Sequence, residues 1–195
     1  MNVYVVYCHP LADSFMASAR DRALAGLQAG GHQIRITDLY AEGFEPSLSL
    51  DEHVNHLGSI DDKPAIAEYA ANLRWCDTLV CIYPTWWSGQ PAMLKGWIDR
   101  VWVKGVAFDL PPGAARITPM LTNIRRIVAI TSHGSSKFIN ALEGESGKRV
   151  ITRSLRVLCS KRCTTTWIAL YAIDTKNQVQ RSAFLDRVEQ RLRTM

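Results

Sequence analysis

The stretch DTLVCIYPTWWSGQPAMLKGWIDRVW, residues 77–102, sets the reading of the whole chain. Residues 77–84 form an apolar run of the kind expected for a strand buried on both faces. Residues 90–102 then follow a helical period, with Pro91 near the first turn, where a missing N–H costs least. Between strand and helix stand two adjacent tryptophans, Trp86 and Trp87, in a loop bounded by Pro84 and Gly89.

The same alternation extends in both directions. Upstream, residues 2–8 read as a buried strand, 14–29 as a helix stopped by Gly30-Gly31, 33–40 as a strand near a sheet edge and 64–74 as a helix opened by Pro64. Downstream, 125–132 is a third apolar strand, 145–160 is helical, 163–173 is rich in β-formers and 177–193 makes a last helix. The polar segment 41–61 is long for a connection without structure. Five strands alternating with five helices imply an α/β chain with a parallel sheet and helices on both faces. Ligands in such sheets bind beyond the carboxyl ends of the strands, which here means just after Cys8, Tyr83 and Thr131.

Composition narrows the class. The chain has 195 residues, 47% hydrophobic and 21% charged, enough for one domain over residues 1–195 with a substantial core. No apolar run approaches the ~20 residues needed to cross a bilayer. The N-terminus lacks a basic region followed by a cleavage site, so a cytoplasmic location is expected. Five cysteines, an odd number without framework spacing, read as free thiols, and no metal site is expected. The net charge of +5 is spread along the chain, so nucleic acid is not an expected partner. Its densest group, Arg181, Arg187, Arg191 and Arg193 among Asp186 and Glu189, reads as a solvated helix face.

Three strand-end loops carry the chemistry. CHPLADSF, residues 8–15, has neither a dinucleotide-binding glycine fingerprint nor a P-loop. His9 and Ser14 beside a helix start suit a phosphate; equally, Asp13 or Ser14 serves as a simple N-cap. The tryptophan pair suits a flat conjugated ligand, since at least one ring of an extended pair faces the crevice. Trp97 and Trp102 read as packing residues. TSHG, residues 131–134, is a small loop that lets backbone approach a ring edge. His133 there reads first as a structural hydrogen-bonding residue.

Residues 84–101 resemble the signature of the NAD(P)H:quinone oxidoreductase family, P-x-x-W-x-x-x-P-A-x-L-K-G-W-x-(D/E)-R-V. His9, Pro10, Ser14 and Phe15 resemble that family's phosphate loop, and residues 38–49 and 105–108 resemble two further family stretches. The resemblance fades after about residue 140. It implies a flavodoxin-like doubly wound sheet of five strands in the order 2-1-3-4-5. It also implies FMN or FAD, with FMN slightly favoured, NAD(P)H as electron donor and a quinone-like acceptor served by two-electron ping-pong transfer. By the same resemblance His9, Ser14 and Phe15 hold the phosphate region, Pro84, Thr85, Trp86, Trp87 and Ser88 contact the ring and ribityl chain, and Thr131, Ser132, His133 and Gly134 close the other side. A tyrosine and a histidine that assist hydride transfer in mammalian-type members fall on Phe138 and Gly144, which leaves His133 as the candidate catalytic side chain. The resemblance further implies a homodimer and admits a second role, as accessory subunit of a membrane transporter of the potassium-efflux type.

Overall fold

In a computed structural model, residues 1–58 and 63–195 are described. The end of the 41–61 segment, from residue 59, lies outside the described residues. The sheet is built from β1 (Asn2–Tyr7), β2 (Gln33–Asp38), β3 (Thr78–Pro84), β6 (Arg126–Ser132) and β7 (Thr164–Leu170). All pair in parallel, in the order β2-β1-β3-β6-β7. Counted along the five sheet strands this is 2-1-3-4-5, the expected doubly wound order. The crossover helices α1 (Phe15–Ala29), α3 (Ala67–Trp75) and α4 (Ala92–Val101) are joined on the sheet faces by α7 (Gln178–Arg193), which follows the last strand.

Burial explains why β1, β3 and β6 form the centre. Every residue of β3 is buried, as are five of the six in β1 and six of the seven in β6. β2 is an edge strand with an exposed face. The two faces of the sheet bury separate cores. Tyr4, Leu79, Trp97 and Trp102 belong to one, and Val5, Leu27, Ile82 and Val188 to the other. Trp97 and Trp102 meet edge to face at 6.4 Å and lie in the core, as packing residues should. All five cysteines are buried free thiols.

Several elements differ from the sequence reading. The segment 41–61 contains a short helix, α2 (Leu50–Val54), started by a capping box in which Ser49 accepts from the Glu52 N–H and Glu52 returns the bond. A two-stranded antiparallel ribbon, β4 (Phe108–Asp109) with β5 (Thr118–Pro119), follows α4. A further helix, α5 (Lys137–Leu142), sits after β6. The helix expected over 145–160 is broken into α6 (Ser146–Arg149), a π-helical stretch over Val150–Leu155 and a final 3₁₀ turn. The last strand stops at Leu170 instead of running to 173, because Ala172 takes a left-handed φ of 52°. No helix among the described residues is long and apolar enough to cross a membrane.

Candidate functional site

A crevice of about 570 Å³ opens where β3, β6 and β7 end. Pro84, Thr85, Trp86 and Trp87 line one wall, Ser132, Gly134 and Ser135 another, and Ile173 with Asp174 close the rim. A smaller pocket of about 200 Å³ continues beneath Trp87 and Ser88 toward His133, Asn140 and Glu143. A larger cavity, about 710 Å³, lies elsewhere, between α2 and the end of α4. None of the strand-end residues lines it, and the parallel-sheet rule favours the smaller crevice as the site.

The tryptophan wall is held by an unusual turn. Trp86 N–H donates to the Gly89 carbonyl at 3.2 Å and Gly89 N–H returns to the Trp86 carbonyl at 3.0 Å, closing a two-residue hairpin. Its central residues, Trp87 and Ser88, both have positive φ, 48° and 58°. Such turns normally take Asn-Gly; a bulky residue there costs roughly 1–2 kcal/mol. The Ser88 carbonyl accepts from Gly147 N–H and from Ser146 Oγ, each at 2.8 Å, and Ser88 Oγ donates to Glu143. Those bonds to α6 and its approach hold the strained turn in place. Trp87 consequently stands free in solvent, 101% exposed, while Trp86 is 43% exposed.

Backbone donors surround the crevice. The N–H groups of Trp87, Ser88, Gly134 and Ser135 have no acceptor among the described residues. At the start of α1, Ser14 Oγ accepts from Ala17 N–H at 3.1 Å, so this serine is the N-cap. The N–H groups of Phe15 and Met16 remain open at the positive end of the helix. The Ser14 cap therefore leaves two backbone donors free at this end of the helix.

Not every expected residue lines the crevice. The Phe15 ring turns to α7 and packs on Phe184 at 5.7 Å, so only its backbone N–H is left toward the first loop. Thr131 is fully buried, bonded Oγ1 to Oγ1 with Thr85 at 2.8 Å, and so supports the wall from behind. His9 accepts the Leu11 N–H at 3.0 Å and lies 6.4 Å from the Trp86 ring, joining the first loop to the second. Ser135, Ile173 and Asp174 escaped the sequence reading. The signal was available: AIDT, residues 172–175, is a fourth strand-end loop, hidden by reading β7 three residues too long.

His133 is buried, stacked on Tyr171 at 4.5 Å and 16°, and its Nε2 lies 3.5 Å from Thr85 Oγ1. Its Nδ1 makes no hydrogen bond among the described residues. Burial pushes its pKa below the usual 6.5, against smaller opposing pulls from Asn140, Glu145 and Glu143. The folded chain therefore withholds a proton that the unfolded chain accepts, and stability falls as pH drops below about 6.5. His133→Gln should flatten that fall in melting temperature between pH 7.5 and 5. An unchanged slope would show that the imidazole protonates freely in the folded chain.

Comparisons with known proteins bear on the fold as a whole. A family model described as a flavodoxin-like fold matches residues 1–194. The chain is 34% identical over 108 residues to the uncharacterized NAD(P)H oxidoreductase YcaK of Escherichia coli K12, covering 54% of this chain and 55% of that one. It is similar throughout to the crystal structure of Smu.1420 from Streptococcus mutans UA159, with TM-score 0.86, 28% identity and full coverage of both chains. An NAD(P)H:quinone oxidoreductase from Methanothermobacter marburgensis superimposes with TM-score 0.79 and 27% identity, covering 100% of this chain and 96% of that one. The chain spans about half the length of the curated relatives it matches.

Proposed function

Because the chain belongs to the flavodoxin-like fold family matched over residues 1–194, we propose that residues 1–195 act as one domain: an NAD(P)H-dependent flavin oxidoreductase with quinone-like acceptors. The observation that carries this reading is the strand-end crevice, about 570 Å³, walled by both tryptophans and rimmed by open backbone donors. That volume falls within the roughly 300–1,000 Å³ of cofactor sites, and the donor set fits a flat ring with polar edges. Bound flavin would supply acceptance of hydride from nicotinamide and return of two electrons to the acceptor, in ping-pong order.

The chain's own groups fix the orientation. Trp86 and Trp87 offer the stacking wall, and the N–H groups of Trp87, Ser88, Gly134 and Ser135 reach for ring-edge oxygen and nitrogen atoms. Asp174 at the rim repels a phosphate, whereas the open end of α1 attracts one. The phosphate end therefore lies toward Ser14, with FMN favoured over FAD. His133, kept neutral by burial, supports Thr85 from behind the wall and is placed to influence the ring only indirectly.

The same reading includes a homodimer. Leu48, Leu50 and Val54 are exposed beside the cavity between α2 and α4, and a second copy would cover them. Sedimentation of the purified chain should give twice the monomer mass.

The decisive experiment is spectroscopic. Purified protein should carry flavin absorption that bleaches with NADH or NADPH and returns on adding a quinone, and the released cofactor should have the mass of FMN. Failure to bind either FMN or FAD at saturation would end the enzyme reading.

A further inference from the structure

The outer edge of β7 has no strand partner among the described residues and is bordered by cations on both sides. Thr164 N–H donates to the Arg125 carbonyl at 3.0 Å, and the Leu170 carbonyl accepts from His133 N–H at 2.8 Å. Alternate residues of a parallel strand bond to the same neighbour. The backbone groups of Thr165, Trp167 and Ala169 therefore point away from β6, and they have no backbone partner among the described residues. They open into a trough of about 580 Å³ floored by the consecutive residues 166–169. Lys137 and Lys148 stand on one bank, Arg187 and Arg191 on the other.

No carboxylate among the described residues lines this trough. The cause lies in α7, whose acids are turned to α1: Asp186 pairs with Arg22 at 2.5 Å, and Glu189 pairs with the same guanidinium. Arg187 and Arg191 are left on the β7 side without an acidic partner among the described residues. The solvated helix of alternating charge expected from sequence is thus a helix with its charges sorted by face. Lys148 is tied to Glu145 at 2.8 Å, but Lys137, Arg187 and Arg191 have no ion pair among the described residues.

We propose that this edge receives an extended acidic segment of a partner protein as a sixth strand. An open strand edge is a template for one more strand. Side chains of an added strand alternate between the two sheet faces. The two banks belong to opposite faces, since Trp167 packs with the α4 layer and Ile168 with the α1–α7 layer. Consecutive carboxylates in the incoming segment therefore meet lysines on one side and arginines on the other. A second copy's β7 is a poor occupant, because it would set the same four cations against these.

The test uses the intact chain and a fluorescent eight-residue peptide with four central glutamates flanked by valine and threonine. Binding should weaken with added salt and fall by about tenfold or more in the R187E/R191E double variant. Flavin retention of that variant should stay unchanged, since neither arginine lines the crevice. Two further peptides, N-methylated at alternate amides in the two possible phases, should differ: one loses binding and the other keeps it. The proposal is overturned if the charge-reversed variant binds equally well. It is also overturned if both methylated peptides bind alike, which would mean charge adhesion alone, or if single-stranded RNA occupies the groove and the peptide does not.

Discussion

Gly96→Ala should lower the melting temperature by about 6–12 °C, although alanine is the better helix former by about 1 kcal/mol. A Cβ at this position would stand 2.2 Å from the Pro46 carbonyl oxygen and 2.6 Å from Pro46 Cα. Both are backbone atoms, so the segment leading to α2 must move away from α4. That movement also breaks what Arg100 holds together. Its guanidinium donates to the Glu45 carbonyl and to the Glu52 carboxylate, and its side chain is only 9% exposed. Overpacking of about 1–3 kcal/mol and a stranded, nearly buried cation outweigh the helix-propensity gain. A net loss of about 3 kcal/mol corresponds to that shift in a chain of this size. Thermal melting checks it; an unchanged or raised midpoint would show that the Pro46 segment yields freely.

Trp87→Ala should raise the dissociation constant for FMN by about 5- to 50-fold, equivalent to about 1–2.3 kcal/mol of lost stacking and burial. Trp87 has the more area to gain on binding, being fully exposed where Trp86 is already partly covered. The turn geometry gives a second readout. Trp87→Gly removes the same ring but also relieves the left-handed strain at φ 48°. The glycine variant should therefore melt higher than the alanine variant by roughly 1–2 kcal/mol of stability while binding FMN equally poorly. Fluorescence titration of the apoprotein and thermal melting measure both. Wild-type affinity in the two variants would remove Trp87 from the wall.

The parts of the fold that were legible are those where one physical signal dominates. β1, β3 and β6 lie between two helical layers, so their side chains are apolar on both faces and the run is unmistakable. β4 and β5 pair only two residues each, too few to show any period. α2 has a recognisable capping box in Ser49 and Glu52, but five polar-leaning residues give no apolar stripe to accompany it. In the site, the tandem tryptophans pointed to the crevice because no core explanation suits adjacent rings in a loop. The left-handed turn carrying them was illegible, since its central residues are not the Asn-Gly that such geometry prefers. Gly96 appeared as one letter of a signature, and only the approach of Pro46 shows why a side chain is excluded. Phe15 shared a motif with Ser14, yet its ring is captured by Phe184 on a helix more than 160 residues away.

The strand order has a consequence for how the protein is made. Of the five sheet strands β1 is synthesised before the others but ends in the interior of the sheet, between β2 and β3. Its β2 partner follows within thirty residues or so, whereas β3 completes only at Pro84. During translation the inner strand thus waits, one apolar flank open, until the following helix and third strand leave the ribosome. Such delayed, long-range pairing is slow and prone to aggregation. Nascent chains halted before residue 78 should need chaperone protection, and those released past residue 84 should need it less.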